Sequence, residues 1–268
     1  MILEYNYWYF ISELSSEVCD AILEYGINAM VDQERRLGES STNGWTGDNR
    51  QRDVALLGNT DNMAPLGASS WNAAKKKGLK TENLYVRDSK VVFIEPKWLY
   101  ELVWPYIKIA NTHANWNFHW DFTEPFQFTK YTKGQFYGWH ADSSALPYAL
   151  FDETKDEILR KENGEPYTDS NGDFIPIQGN LTTHPNYIGK IRKLSVTISL
   201  SDPSTYKGGN LRFDFGPHAE KQRFYTCKEI RPKGSIIVFP SHLYHQVTPV
   251  TLGTRYSLVC WNLGAPFK

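Results

Sequence analysis

The spacing of apolar positions changes partway along this 268-residue chain, from a helical period to a period of two. From Leu14 to Met30, "LSSEVCDAILEYGINAM" spaces Val18, Ala21, Ile22, Tyr25 and Ala29 so that one helical stripe faces a core. Ser15 or Ser16 can cap this helix, and Glu17 sits in its first turn, where a carboxylate opposes the positive end of the helix dipole. "NGWTGDN", from Asn43 to Asn49, reads as loop and "QRDVALLG" as a short strand. Residues 64–81, with "KKKGLK", read as a solvated helix or loop. "LYVRDSKVVFIE" offers hairpin-like strands, and "KWLYELVWPYIKIANTH" reads as a second helix that Pro105 bends or ends.

Beyond that point "NWNFHWDF", "PFQFTKY" and "QFYGWHAD" are strand-like, as are "KLSVTISLSD", "NLRFDFG", "GSIIVFPS" and "RYSLVCWN". Helices first and many short strands after predict an α+β domain built on a sandwich or barrel. A polar interruption lies between Ser143 and Lys190. Asn171-Gly172 is a tight-turn pair there, which predicts a hairpin. An insertion of that length in a compact domain is characteristically functional or mobile. Its "DSNGD" string fails as a calcium loop, because the glycine precedes the third acid. No internal repeat or low-complexity tract occurs.

Composition narrows the classes. An apolar fraction of 41% with 22% charged residues fits an ordinary globular chain. A net charge of -1 provides no broad basic field for nucleic acid or an anionic membrane. Cys19, Cys227 and Cys260 are an odd number with no C-x-x-C spacing, so neither a disulfide framework nor a zinc site is expected. "MILEYNYWYF" lacks the basic start of a signal peptide, and no apolar run approaches a membrane span, so the expected location is cytoplasmic. Nine Trp, sixteen Tyr and fourteen Phe suit strands and ligand clefts.

Candidate chemistry sits at the end of "YTKGQFYGWHAD". Side chains at i and i+2 of a strand share a face, so His140 and Asp142 converge. Two His and one carboxylate on one face of a metal form the facial triad of non-haem Fe(II) oxygenases, with open positions for a co-substrate and O2. His119 and Asp121 in "NFHWDF" have the same spacing. Facing them inward, however, turns Phe118, Trp120 and Phe122 the other way, so periodicity favours His140 and Asp142. "GSIIVFPSHLYHQVTPVTLGTRYSLVCW" offers His242 and His245 as a third ligand. Arg255, ten residues beyond His245, presents a fork that can grip the carboxylate of an α-keto diacid, and Ser257 shares its face.

The stretches "NWNF", "FQFTKYTKGQFYGWHAD", "RKLSVTISLSDPSTYKGGNLRF" and Gly234 to Trp261 resemble the iron(II)- and 2-oxoglutarate-dependent oxygenases, prolyl 4-hydroxylase-like branch. The resemblance implies a double-stranded β-helix (jelly roll) with supporting N-terminal helices. It implies one oxygenase domain over 1–268: a helical support region, 1–110, and a jelly-roll core, 111–268, with the insertion 143–190. His140, Asp142 and His245 are then the Fe(II) ligands, His245 preferred because it precedes the V-x-P-V segment. Arg255, Tyr131 and Ser257 are the co-substrate residues, and Tyr137, Trp261 and Arg192 flank the substrate. The implied cofactors are Fe(II), 2-oxoglutarate and O2, with ascorbate as reductant. The implied reaction is hydroxylation of a peptidyl residue such as proline, with succinate and CO2 as co-products. Alternatives are the same chemistry on a free amino acid or small molecule, or a non-catalytic jelly-roll binding module. The chain departs from several relatives in carrying Ser199 where they have a co-substrate-binding tyrosine, and in its long insertion.

Overall fold

The structure, a computed structural model, describes residues 4–37, 87–143, 147–150, 181–182, 184–216 and 223–267. The expected elements at 43–49, "QRDVALLG" and 64–81, and the hairpin at Asn171-Gly172, lie outside the described residues.

The first helix, α1 (Ser16–Leu37), begins as its sequence dictates, with Ser15 Oγ accepting from the Val18 N–H at 3.3 Å. Its buried stripe is Cys19, Ile22, Gly26 and Met30, whereas Ala21 and Tyr25 are exposed. The helix is therefore turned by about one position from the expected stripe. Gly26 explains the turn: a Cβ there would overlap the ring of Phe128, so only glycine lets the helix backbone lie this close to the sheet. The second helix, α2 (Lys97–His113), runs unbroken through Pro105. It buries Leu99, Val103, Ile107 and Ala110 at helical spacing, and each fully buried Leu, Ile or Val contributes about 1.5–3 kcal/mol.

The strands are β1 (Trp8–Phe10), β2 (Arg87–Asp88), β3 (Lys90–Ile94), β4 (Phe122–Thr123), β5 (Phe126–Tyr131), β6 (Phe136–His140), β7 (Ala149–Leu150) and β8 (Leu181–Thr182). They continue with β9 (Ile191–Ser199), β10 (Tyr206–Gly208), β11 (Leu211–Asp214), β12 (Phe224–Thr226), β13 (Ile236–Pro240), β14 (Tyr244–Val247), β15 (Val250–Gly253) and β16 (Arg255–Gly264). The larger sheet has the order β1-β13-β9-β16-β5-β3, with β4 also on β16, and the smaller β12-β11-β14-β6-β2. Both are antiparallel, and with the helices they form the jelly-roll architecture expected. Two local expectations fail. The stretch "VRDSKVVFI" is no hairpin, because β2 pairs with β6 and β3 with β5, and buried Ser89 carries the chain between the sheets. "NWNFHWDF" yields strand only at β4, since Asn115 and Asn117 adopt φ of 54° and 51°, outside strand geometry.

The larger sheet shows why its strands alternate as they do. Phe126, Phe128, Leu194, Val196, Ile198, Leu258 and Cys260 pack against the helices. The intervening Gln127, Thr129, Ser195, Thr197, Ser199 and Ser257 are small or polar, also buried, and belong to the opposite face. A sheet that buries apolar side chains on one face and hydroxyls on the other is prepared to wall a polar site.

Candidate metal and co-substrate site

β6 and β14 pair so that His140 lies opposite His245, and the two rings are 4.2 Å apart. Asp142 lies two residues past the end of β6. Its N–H donates to the Ser241 carbonyl at 2.9 Å, which keeps it on the side of His140 that the sequence spacing implies. His140 Nε2 is 3.4 Å from Asp142 Oδ1, and His245 Nε2 is 3.5 Å from Asp142 Oδ2. All three ligand atoms fall within 4.8 Å of one another. Among the described residues this is the one such cluster.

Hydrogen bonds prepare each ligand for a cation. His140 Nδ1 is 2.8 Å from the Gly138 carbonyl and His245 Nδ1 is 2.9 Å from that of Leu243. A carbonyl only accepts, so each Nδ1 carries the proton, and in the neutral ring the Nε2 lone pair is left for the metal. Burial, reinforced by His140, holds His245 down to about 4, so that ring is neutral at pH 7. Burial pushes the Asp142 carboxyl up. The neighbouring His245 and His140 rings and the charge of Arg192 outweigh it, and the carboxyl stays well below the usual carboxylate range. Ser195 Oγ donates to Asp142 Oδ2 at 2.7 Å and fixes its orientation. Two imidazoles and one carboxylate are the donor set a divalent iron takes on one face.

The same cavity reaches Arg255. It holds about 470 Å³ including its mouth, and Gln127, Tyr131, Tyr137, Thr197, Ser257 and Trp261 also line it. Arg255 opens β16 opposite Tyr131, is only 3% exposed, and donates from Nη1 to Ser257 Oγ at 3.1 Å. Gly209, at φ +59°, makes room for its stem, since a Cβ there would press on Arg255 Cδ. Among the described residues no carboxylate pairs with this guanidinium. A buried cation without a counter-charge is costly, and a ligand carboxylate would supply the missing partner.

Eight of the nine residues expected from the sequence, His140, Asp142, His245, Arg255, Tyr131, Ser257, Tyr137 and Trp261, line the one cavity. The ninth, Arg192, lies just outside. Its Cζ sits 4.0 Å over the Trp261 ring, and Nε and Nη2 each reach the Glu124 carboxylate at 2.6 Å. Its charge is therefore already matched. The rivals separate as the hydrophobic pattern indicates: His119 and Asp121 are exposed, and Asp121 pairs with Lys190. His242 lies beside Phe267, outside the cluster. Sequence reasoning missed Ser195, Gln127, Thr197 and Glu124. For Ser195 and Thr197 a signal existed in the strict alternation of "KLSVTISLSD". For Glu124 none did, because its partner is 68 residues away.

Residues 170–262 match the model of the 2OG-Fe(II) oxygenase superfamily, a span that includes His245 and Arg255 but begins after His140 and Asp142. A PKHD-type hydroxylase, YbiX, of Escherichia coli O17:K52:H18 is 32% identical over 121 residues, covering 44% of this chain and 46% of its own length. The YbiX of Escherichia coli K12 is 34% identical over 121 residues with the same coverage. The matches thus span about half the length of these curated relatives. Among solved structures, the 2OG complex of a viral collagen prolyl hydroxylase from Paramecium Bursaria Chlorella virus-1 superposes with a TM-score of 0.50. That likeness covers 98% of both chains at 14% identity, and it concerns the fold.

Proposed function

We propose that this chain is a member of the 2OG-Fe(II) oxygenase superfamily, a 2-oxoglutarate- and Fe(II)-dependent dioxygenase hydroxylating an unactivated C–H bond. The substrate we propose is a peptidyl residue such as proline, with succinate and CO2 as co-products and ascorbate as reductant. One observation carries the reading: a buried guanidinium with no acid partner among the described residues shares a cavity with two histidines and a carboxylate whose ligand atoms converge.

His140 and His245 would hold Fe(II) through Nε2 and Asp142 through a carboxylate oxygen, with Ser195 keeping that carboxylate oriented. Iron, when bound, supplies the O2 chemistry that couples 2-oxoglutarate decarboxylation to hydroxylation. Arg255 would receive the distal carboxylate of 2-oxoglutarate, with Ser257 holding the guanidinium in place and Tyr131 beside it. Tyr137 and Trp261 would flank the substrate. Among the described residues the buried Trp261 Nε1–H has no acceptor, which makes it a donor available to a substrate carbonyl. Arg192 acts at the rim by stacking on Trp261, with its charge neutralised by Glu124. The three cysteines are buried free thiols, which fits a reducing cytoplasm as the working location. Among the described residues no helix is long and apolar enough to cross a membrane.

Succinate formation from 2-oxoglutarate, with Fe(II), ascorbate and O2, tests the reading in the wild type and His140→Ala. Slow turnover without prime substrate in the wild type alone is expected. Equal succinate from both proteins, or no Fe(II) uptake by the wild type, would leave a non-catalytic binding module.

A further inference from the structure

Arg87 opens β2 and is buried, and among the described residues no carboxylate pairs with it. Its Nε donates to Ser89 Oγ at 2.8 Å and its Nη1 to Gln127 Oε1 at 3.1 Å. Its Nη2 is buried and, among the described residues, has no hydrogen-bond partner. A cation held out of water in this way needs another source of compensation. Here it is an aromatic face, because Arg87 Cζ lies 4.6 Å from the centroid of the Tyr137 ring. The Tyr137 ring also stacks on His140, with centroids 3.5 Å apart and planes inclined by 13°. Arg87, Tyr137 and His140 therefore form one contiguous stack, and the strand register that sets Arg87 opposite Tyr137 builds it.

Two rings lying face to face with centroids this close adopt the arrangement their quadrupoles disfavour. A cation on Tyr137 draws π density toward itself and reduces the repulsion felt at the imidazole. Besides this stack, His140 is tethered at Nδ1 to the Gly138 carbonyl and lies beside Asp142 and the His245 ring, edge contacts that do not clamp the plane of the imidazole as a face-on stack does. We propose that Arg87 is a positioning residue for the metal centre. Acting through Tyr137, it fixes the plane of His140 and so keeps Nε2 in register with Asp142 and His245. The inference rests on the metal-site reading, and its hallmark is that a residue outside the ligand set tunes metal affinity through a stacked ring.

The test compares Arg87→Gln with Arg87→Lys, which keeps the cation, in two measurements. In metal-free protein, the His140 Cε1–H proton resonance, assigned with His140→Gln, reports the stack by its upfield ring-current shift. Co(II) titration followed by absorbance reports ligand geometry and affinity. We expect Arg87→Gln to lose much of the upfield shift and bind Co(II) about tenfold more weakly, the scale on which partners of metal ligands act. Arg87→Lys is expected to recover most of both. Wild-type shift and affinity in a folded Arg87→Gln would overturn the proposal, as would an Arg87→Lys no better than Arg87→Gln. Absence of Co(II) binding by the wild type would instead sink the metal-site reading, and with it the role given to Arg87, whatever the proton shift shows.

Discussion

Arg255→Met removes the buried charge while keeping an unbranched stem in the space beside Gly209. Two effects of opposite sign follow. An uncompensated buried ion costs several kcal/mol even after relaxation, so the ligand-free variant should melt at or above the wild-type temperature. Co-substrate binding should move the other way. Two charge-assisted hydrogen bonds to a carboxylate are worth about 1.5–3 kcal/mol each, or about 3–6 kcal/mol together. At 1.4 kcal/mol per decade, that predicts a loss of about 10²- to 10⁴-fold in 2-oxoglutarate affinity. Calorimetric titration with Mn(II) in place of Fe(II) would measure it without turnover. Melting curves give a second readout: 2-oxoglutarate at a hundred times its Kd stabilises the wild type by about 2.7 kcal/mol, roughly 5–10 °C here, and should leave the variant unmoved. An affinity within about threefold of wild type would refute the assignment. So would a large fall in the ligand-free melting temperature, which would mean that Arg255 is a structural cation with a protein partner.

Metal-free protein should lose stability as pH falls from about 6.5 toward 4. Burial depresses His245 to about 4, so the unfolded chain binds a proton there that the native state refuses. The loss approaches about 3 kcal/mol in urea denaturation, and His245→Gln should flatten it; an unchanged slope would count against the buried neutral ring. Glu124→Gln leaves Arg192 without an ionised partner and should cost about 3 kcal/mol, at the low end for a buried pair because the Arg192 side chain is 21% exposed. Chemical denaturation would check this, and a change below about 1 kcal/mol would show the pair to behave as a surface one. Gly26→Ala gains about 1 kcal/mol of helix propensity but drives a methyl into Phe128, so a net loss of about 1–2 kcal/mol is expected. A stabilised variant would mean that α1 shifts off the sheet without penalty.

Much of the site was legible because its parts are local. His140 and Asp142 are two residues apart, Arg255 and Ser257 likewise, and strand alternation assigns each pair a common side before any fold is known. The same alternation rejected His119 and Asp121, whose inward placement would have turned Phe118 outward; Phe118 is in fact buried. Local pattern failed where a backbone partner lay elsewhere. "VRDSKVVFI" has the look of a hairpin, yet its two strands belong to different sheets, because Phe136–His140 and Phe126–Tyr131 claim them separately. The helix stripe was read one position off, since a glycine counts as neither apolar nor polar until the ring it must admit is known.

By itself, then, the sequence pointed to helices followed by strands, to the candidate metal ligands His140, Asp142 and His245, and to the arginine set ten residues beyond the last of them. All of these follow from periodicity, residue chemistry and family pattern along the chain. Tertiary structure decided which charges are matched. Arg192 finds Glu124, whereas Arg87 and Arg255 are buried with no acid among the described residues. Pairing across 68 positions, as for Glu124 and Arg192, leaves no trace in local spacing. Whether a buried cation is satisfied depends on what the fold brings within a few ångströms of it, and only the packed sheets determine that.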